Sequence, residues 1–235
     1  MPVILITGAN RGLGLEFVKQ YAERSWQVIA TTRDPAAATE LAALAKNHHG
    51  VRIESLDVGN REEIDALAAR LARQPIDVLL NNAGWLGDTR KQSLDELDYA
   101  SFEEVLRINT YGPLAMAKAF MPNVVESEQK KIVVITSGLS SIANTTRFGN
   151  LYFYRISKAG ANMAMRTLQA EVRAQGVKIG VLAPGMVDTR LLRQSGYEGP
   201  GVIKAPQSVA AVIGHIEDLT QDAEMTLYTG DRLPW

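Results

Sequence analysis

This sequence predicts a doubly wound α/β domain, one parallel sheet of about seven strands with helices on both faces. Three observations carry that expectation. Short runs rich in Val, Ile and Leu alternate with longer amphipathic stretches almost from end to end. A Gly-rich run, Thr7-Gly8-Ala9-Asn10-Arg11-Gly12-Leu13-Gly14, sits between the first apolar run and the first amphipathic one. The chain has 235 residues, 46% of them hydrophobic, enough to bury one substantial core without splitting.

Strands are expected at 3–7, 27–32, 51–56, 76–81, 131–136, 177–183 and 226–229. Each is apolar nearly throughout, as in strands covered on both faces. Helices are expected near 13–24, 36–46, 61–72, 101–126, 153–175 and 206–219. Asn60 before Arg61-Glu62-Glu63 reads as an N-cap with an acidic first turn. Regular strand–helix alternation implies right-handed crossovers between parallel strands. With no repeat, linker or low-complexity segment, residues 1–235 read as one domain. Two irregular stretches follow the fourth and sixth strands: 84–100, and the Gly/Pro-rich 189–205. Ligands of open α/β sheets sit beyond the carboxyl ends of the strands, so both are candidate pocket walls. For 84–100 an ordinary surface connection is the rival reading.

Composition removes several function classes. Lys and Arg total 25 against 26 Asp and Glu, a net charge of −1, which argues against nucleic acid or an anionic membrane as partner. The absence of cysteine excludes disulfides, thiol catalysis and cysteine-held metals. The three histidines, His48, His49 and His215, have no spacing suited to a shared ion. The run Met1–Gly8 is too short to span a bilayer and has no basic residue ahead of it, so a soluble cytoplasmic protein is expected.

The Gly-rich run points to phosphate. Missing Cβ atoms at Gly8, Gly12 and Gly14 permit a tight turn and let backbone N–H groups approach a pyrophosphate, and the helix that begins at once adds its dipole. Between a first strand and a first helix this pattern is specific; elsewhere it is an ordinary turn. The nucleotide is chosen at the end of the second strand, where a carboxylate would bond the ribose 2′-hydroxyl of NAD. The chain reads Ala30-Thr31-Thr32-Arg33-Asp34 there. Thr32 replaces the acid, while Arg33 and Arg11 offer guanidiniums to a 2′-phosphate, which favours NADP(H) over NAD(H). Asp34 is the exception, unless it caps the next helix, with Pro35 at the first position.

Tyr154-Arg155-Ile156-Ser157-Lys158 sets a phenol and an ammonium four residues apart, on one face of a helix. A free tyrosine has a pKa of about 10, too high for efficient proton transfer near neutrality, and a nearby cation lowers it. Alone the pattern is weak, because a packed Tyr beside a solvated Lys looks the same.

Its company is informative. Thr7–Gly14, Asn81-Asn82-Ala83-Gly84, Asn109, Ser137, Tyr154-x-x-x-Lys158 and Pro184-Gly185 occur in the order seen in the short-chain dehydrogenase/reductase family, and the chain resembles that family over nearly its whole length. Tyr152-Phe153-Tyr154-Arg155 and the closing Tyr228-Thr229-Gly230…Leu233-Pro234-Trp235 are similar to its C-factor and sniffer-like carbonyl reductase branch. The resemblance implies a Rossmann fold and an NADP-dependent oxidoreductase that acts on a small carbonyl or alcohol substrate. Tyr154 would be its general acid and base. Lys158 would lower the phenol pKa and hold the nicotinamide ribose. Ser137 would orient the substrate oxygen, and Asn109 would position a proton-relaying water. For the cofactor it implies contacts from Gly8, Asn10, Arg11, Gly12, Leu13, Gly14, Arg33, Tyr154 and Lys158. It adds Asp57 and Val58 at the adenine, Asn82, Ala83 and Gly84 on the adenosine side, and Pro184, Gly185, Val187 and Thr189 at the carboxamide. A homodimer or homotetramer is expected of the family. Small residues on two helices (Ala159–Ala164; Ala115, Ala117, Ala119) serve that or packing within one subunit equally well.

Some choices stay open at this level. Ser137 precedes Tyr154 by more than the commonest family spacing, and Ser140 and Ser141 are its rivals. Ser137 is preferred for its Thr-Ser-Gly context at a strand end. Tyr152 is a lesser rival of Tyr154, with no lysine four residues on. Met186 and Phe148 are expected near the substrate. Two other functions compete. One is an NADP-binding signalling or regulatory protein with little turnover; the other is an epimerase or dehydratase, disfavoured by the short tail.

Overall fold

The computed structural model describes residues 1–146 and 149–235. Phe148 therefore lies outside the described residues. The strands fall where apolar runs stand in the sequence. They are β1 (Val3–Ile6), β2 (Gln27–Thr32), β3 (Val51–Ser55), β4 (Val78–Asn81), a two-stranded hairpin of β5 (Gln92–Ser93) and β6 (Glu96–Leu97), then β7 (Lys131–Ile135), β8 (Lys178–Ala183) and β9 (Met225–Leu227). The helices are α1 (Gly12–Glu23), α2 (Thr39–Asn47), α3 (Arg61–Arg70), α4 (Tyr99–Leu106), α5 (Gly112–Val125), α6 (Tyr152–Val172), α7 (Arg190–Gln194) and α8 (Ala205–Glu217).

Seven strands form one sheet in the order β3-β2-β1-β4-β7-β8-β9, every pairing parallel. The chain builds outward from β1 to β3, then returns to place β4 on the other side of β1. That reversal opens a crevice at the carboxyl ends of β1 and β4. Alternation along the strands divides the core. Leu5 and Leu79 face one layer with Phe120, Met116 and Met165 from α5 and α6. Ile4, Ile6 and Leu80 face the other with Phe17 and Val18 from α1 and Ile213 from α8. Among the described residues no helix is long and apolar enough to cross a membrane.

Three departures from the expected elements bear on function. The helix expected over 101–126 is wound as a π-turn at Arg107–Tyr111, between α4 and α5. Residues 84–100 carry the β5–β6 hairpin rather than irregular chain. The helix expected from 36 begins at Thr39, because residues 35–37 form a turn on the Asp34 carboxylate. Asn60 caps α3 as expected, its Oδ1 accepting from the Glu62 and Glu63 N–H groups.

Candidate active site

The glycine loop closes on the end of β4. A Cβ at Gly14 would stand 2.1 Å from the Gly8 carbonyl oxygen, and one at Gly8, where φ is +66°, would stand 2.9 Å from Ala83 Cα. Only bare glycines allow this approach. Asn82 then ties the loop down, its Nδ2 donating to the carbonyls of Thr7 (2.9 Å) and Gly8 (3.1 Å). Thr7 Oγ1 accepts from the Asn82 and Ala83 N–H groups, both at 3.0 Å. Asn82, expected on the adenosine side, thus spends its amide nitrogen on holding the turn.

The start of α1 faces the crevice, and no side chain caps it. Its unclaimed N–H groups and positive dipole end suit a pyrophosphate. Asn10 and Leu13 are half-buried in the loop. Across the crevice, Thr189 Cγ2 lies 3.7 Å from where a Cβ of Gly12 would be. Thr189 follows the Pro184-Gly185 corner, where the Pro184 carbonyl accepts from Ser208 Oγ at 2.6 Å, and Val187 is buried beside a bridge to Ile203. At the end of β2, Thr32 is buried and Arg33 exposed. The Asp34 carboxylate is engaged by the Ala36 and Ala37 N–H groups at 3.0 and 3.1 Å, so it acts as a turn cap. Among the described residues neither Arg11 nor Arg33 forms an ion pair. Asp57 accepts from Gly59 N–H at 2.8 Å, and Val58 is buried beside it. Thr31 Oγ1 and Asn81 Nδ2, at the ends of β2 and β4, are buried without a partner among the described residues. Close backbone, a helix dipole, two free guanidiniums and orphaned polar atoms at the strand ends together fit a dinucleotide carrying an extra phosphate.

Tyr154 and Lys158 share the buried face of α6, 6% and 4% exposed. Lys158 Nζ is 6.0 Å from the Tyr154 ring centre and donates to the Ile135 carbonyl at 2.8 Å. A point beside Gly84 is common to two groups: a Cβ there would meet Lys158 Nζ at 3.3 Å and Asn109 Oδ1 at 3.6 Å. Asn109 is fully buried within the π-turn. Its Oδ1 accepts from Trp85 N–H (2.8 Å), while its Nδ2 donates to the Trp85 carbonyl (2.7 Å) and to Ser157 Oγ (2.9 Å). π-Turns inside helices often mark functional positions, since the wider turn releases a backbone group from the ladder.

Burial pushes the Tyr154 phenol up to about 12, against which a hydrogen bond with the Ser137 side chain pulls down. The same burial brings the Lys158 ammonium down to about 8. Lys158 is expected to lower the phenol, whereas desolvation is the largest influence on it here and raises it. The three candidate serines differ in their partners. The Ser137 side chain is the group that lowers the Tyr154 phenol. Ser141 Oγ instead donates to the Pro234 carbonyl at 2.6 Å, and Ser140 Oγ donates to the Ser137 carbonyl at 2.5 Å. Tyr152, on α6 but outside this cluster, is 38% exposed.

The short chain dehydrogenase family profile matches residues 2–198. The chain belongs to that family. It is 33% identical over 227 residues to a 1-hydroxy-2-glutathionyl-2-methyl-3-butene dehydrogenase of a Rhodococcus species, covering 94% of this chain and 93% of the relative. It is 33% identical over 173 residues to the C-signal of Myxococcus xanthus, covering 72% of this chain and 99% of that one. Among solved structures, NADPH-bound carbonyl reductase from chicken fatty liver superposes with a TM-score of 0.91 at 31% identity, each chain wholly covered. The branch that the closing motif resembles, C-factor and carbonyl reductase, is thus represented among this chain's relatives.

Two further residues serve the site without standing in any motif. Asn162, one turn beyond Lys158, accepts from Thr136 Oγ1 at 2.6 Å and donates to Ser140 Oγ at 2.8 Å, fixing the turn that carries Ser137. Gln92, in the hairpin, is wholly buried against the start of α6. Asn162 could have been found from its i+4 spacing to Lys158; nothing local marks Gln92.

Proposed function

We propose that this family member is an NADPH-dependent oxidoreductase that moves a hydride between nicotinamide and the carbonyl or alcohol carbon of a small organic substrate, with Tyr154 as general acid and base. The observation that carries the reading is the convergence of Ser137, Tyr154, Lys158 and Asn109 beside the crevice that the glycine loop lines. Gly8, Gly12 and Gly14 with the α1 amino terminus would hold the pyrophosphate, and Arg11 and Arg33 the 2′-phosphate. When bound, the dinucleotide supplies the hydride.

The chain's own residues handle the proton. In reduction the carbonyl carbon gains the hydride, its oxygen gains the phenolic proton of Tyr154, and solvent restores that proton. The phenol, raised by burial, carries its proton at neutral pH, the form from which reduction starts. Ser137 donates a hydrogen bond to the substrate oxygen as negative charge grows on it. Protonated Lys158 steadies the phenolate that remains. Asn109, its carboxamide fully engaged, keeps the π-turn beside Lys158, where a water would return the proton.

A second reading, a dinucleotide-binding signalling protein with little turnover, is favoured only by the similarity to C-signal. The presence of the whole Asn–Ser–Tyr–Lys set weighs against it. NADPH consumption measured against aldehydes, ketones, quinones and pterins, with Tyr154→Phe alongside, separates the two. We expect turnover on at least one class, and a loss of about 100-fold or more in the variant. Equal consumption by both proteins would remove Tyr154 from the chemistry, and no consumption at all would favour the signalling reading.

A further inference from the structure

The helix that carries Tyr154 and Lys158 begins without a cap of its own. Leu151, at its N-cap position, has a left-handed backbone (φ 55°, ψ 43°) and no side chain able to accept from the first turn. The first N–H groups of a helix have no partner inside it, so they need one from elsewhere. For Tyr154 that partner is 62 residues away: Gln92 Oε1 accepts from the Tyr154 N–H at 3.1 Å. The same carboxamide donates through Nε2 to the Leu86 carbonyl at 2.8 Å and to the Asp88 carbonyl at 3.3 Å. Gln92 is wholly buried and has every polar atom of its side chain engaged.

The surroundings are built for this reach. A Cβ at Gly87 would meet Gln92 Nε2 at 3.1 Å and Val105 Cγ2 at 2.8 Å, so a side chain there would displace the amide. The hairpin bearing Gln92 is pinned by Lys91–Asp98 at 2.7 Å, and Asp98 also caps α4 through the N–H groups of Ala100 and Ser101. Leu86, held by the Gln92 amide, packs with Leu151 and the Tyr154 ring, with Leu139 and Leu191 against them. One side chain therefore sets both the backbone of Tyr154 and the apolar wall that its ring touches.

We infer that Gln92 is a positioning residue for Tyr154, a remote cap that fixes the phenol relative to Ser137, Lys158 and the Leu86 wall. The inference rests on the reading of Tyr154 as proton donor. It assigns a function to the 84–100 segment beyond that of pocket wall: the hairpin is the clamp on the acid.

Gln92→Leu, which keeps the bulk and removes all three bonds, is compared with Gln169→Leu. Gln169 is the matched control: a buried glutamine on α6, remote from the site, whose Nε2 donates to the carbonyls of Gln221 (2.7 Å) and Ala223 (3.1 Å). NADPH turnover is followed with 9,10-phenanthrenequinone or 4-nitrobenzaldehyde, whichever the wild type reduces faster. Both variants are expected to lose about 2–6 °C in Tm. Gln92→Leu is expected to lose about 10- to 100-fold in kcat, because a displaced acid is costly. Its KM for NADPH should stay within about twofold, and its kcat–pH profile should shift. Gln169→Leu should keep kcat within about twofold and an unshifted profile. Equal kcat in the two variants would overturn the inference. Hydrogen exchange on the wild-type protein gives a test that needs no variant. The Tyr154 amide should be protected about 100-fold or more although it lies in a first turn, and unprotected exchange there would also overturn it. Failure of the underlying reading is seen separately, as full activity in Tyr154→Phe.

Discussion

Replacing Lys158 by methionine separates what the site costs the fold from what it does for chemistry. The ammonium is 4% exposed, and burial holds its pKa at about 8 instead of the ordinary 10.5. That gap corresponds to a charge-burial cost on the order of 3 kcal/mol. Below pH 8 the lysine is protonated whether the chain is folded or not, and the whole cost is present. Between pH 8 and 10.5 the folded chain has released the proton and the unfolded chain keeps it, so stability rises with pH. Above 10.5 both are neutral and the cost is gone. Methionine carries no such cost, but it leaves the Ile135 carbonyl without its donor at 2.8 Å, a pH-independent loss of about 1–3 kcal/mol. At pH 7 the variant should therefore match the wild type or exceed it by up to about 2 kcal/mol, that is by up to about 8 °C in Tm. Its advantage over the wild type should shrink by about 3 kcal/mol between pH 7.5 and 10.5. Urea unfolding of the cofactor-free proteins at several pH values across that range measures the difference directly. A difference that stays flat with pH, or that grows in the variant's favour as pH rises, would refute the assignment of a buried charge. In the same preparation, carbonyl reduction should fall by about 100-fold or more.

Two other expectations concern cofactor choice and the serine. Arg33→Ala should weaken NADPH by about 10- to 100-fold, the worth of a charge-assisted hydrogen bond, and NADH by less than about threefold; fluorescence titration giving equal losses would overturn the choice of NADPH. Ser137→Ala should lower kcat by about 100-fold, while Ser141→Ala, whose hydroxyl is committed to the Pro234 carbonyl, should keep it within about threefold. The reverse order in steady-state assays would exchange their roles.

The sequence by itself determined the architecture and singled out the groups proposed to react. Both are written in local pattern. Apolar runs of strand length recur between amphipathic stretches, the glycine loop joins the first strand to the first helix, and an i,i+4 spacing puts Tyr154 and Lys158 on one face. The missing acid at Thr32 is likewise a local fact. Only the tertiary structure decided what depends on distant partners. Ser141 is set apart from Ser137 by a carbonyl at Pro234, Asn82 also anchors the glycine loop by bonding Thr7 and Gly8, and the cap of Tyr154 comes from Gln92 in a hairpin that no periodicity announced. The titration of the pair belongs to the same class. Spacing shows that a cation stands beside the phenol, but desolvation is a property of the packed surroundings. Here it carries the phenol up and the ammonium down together.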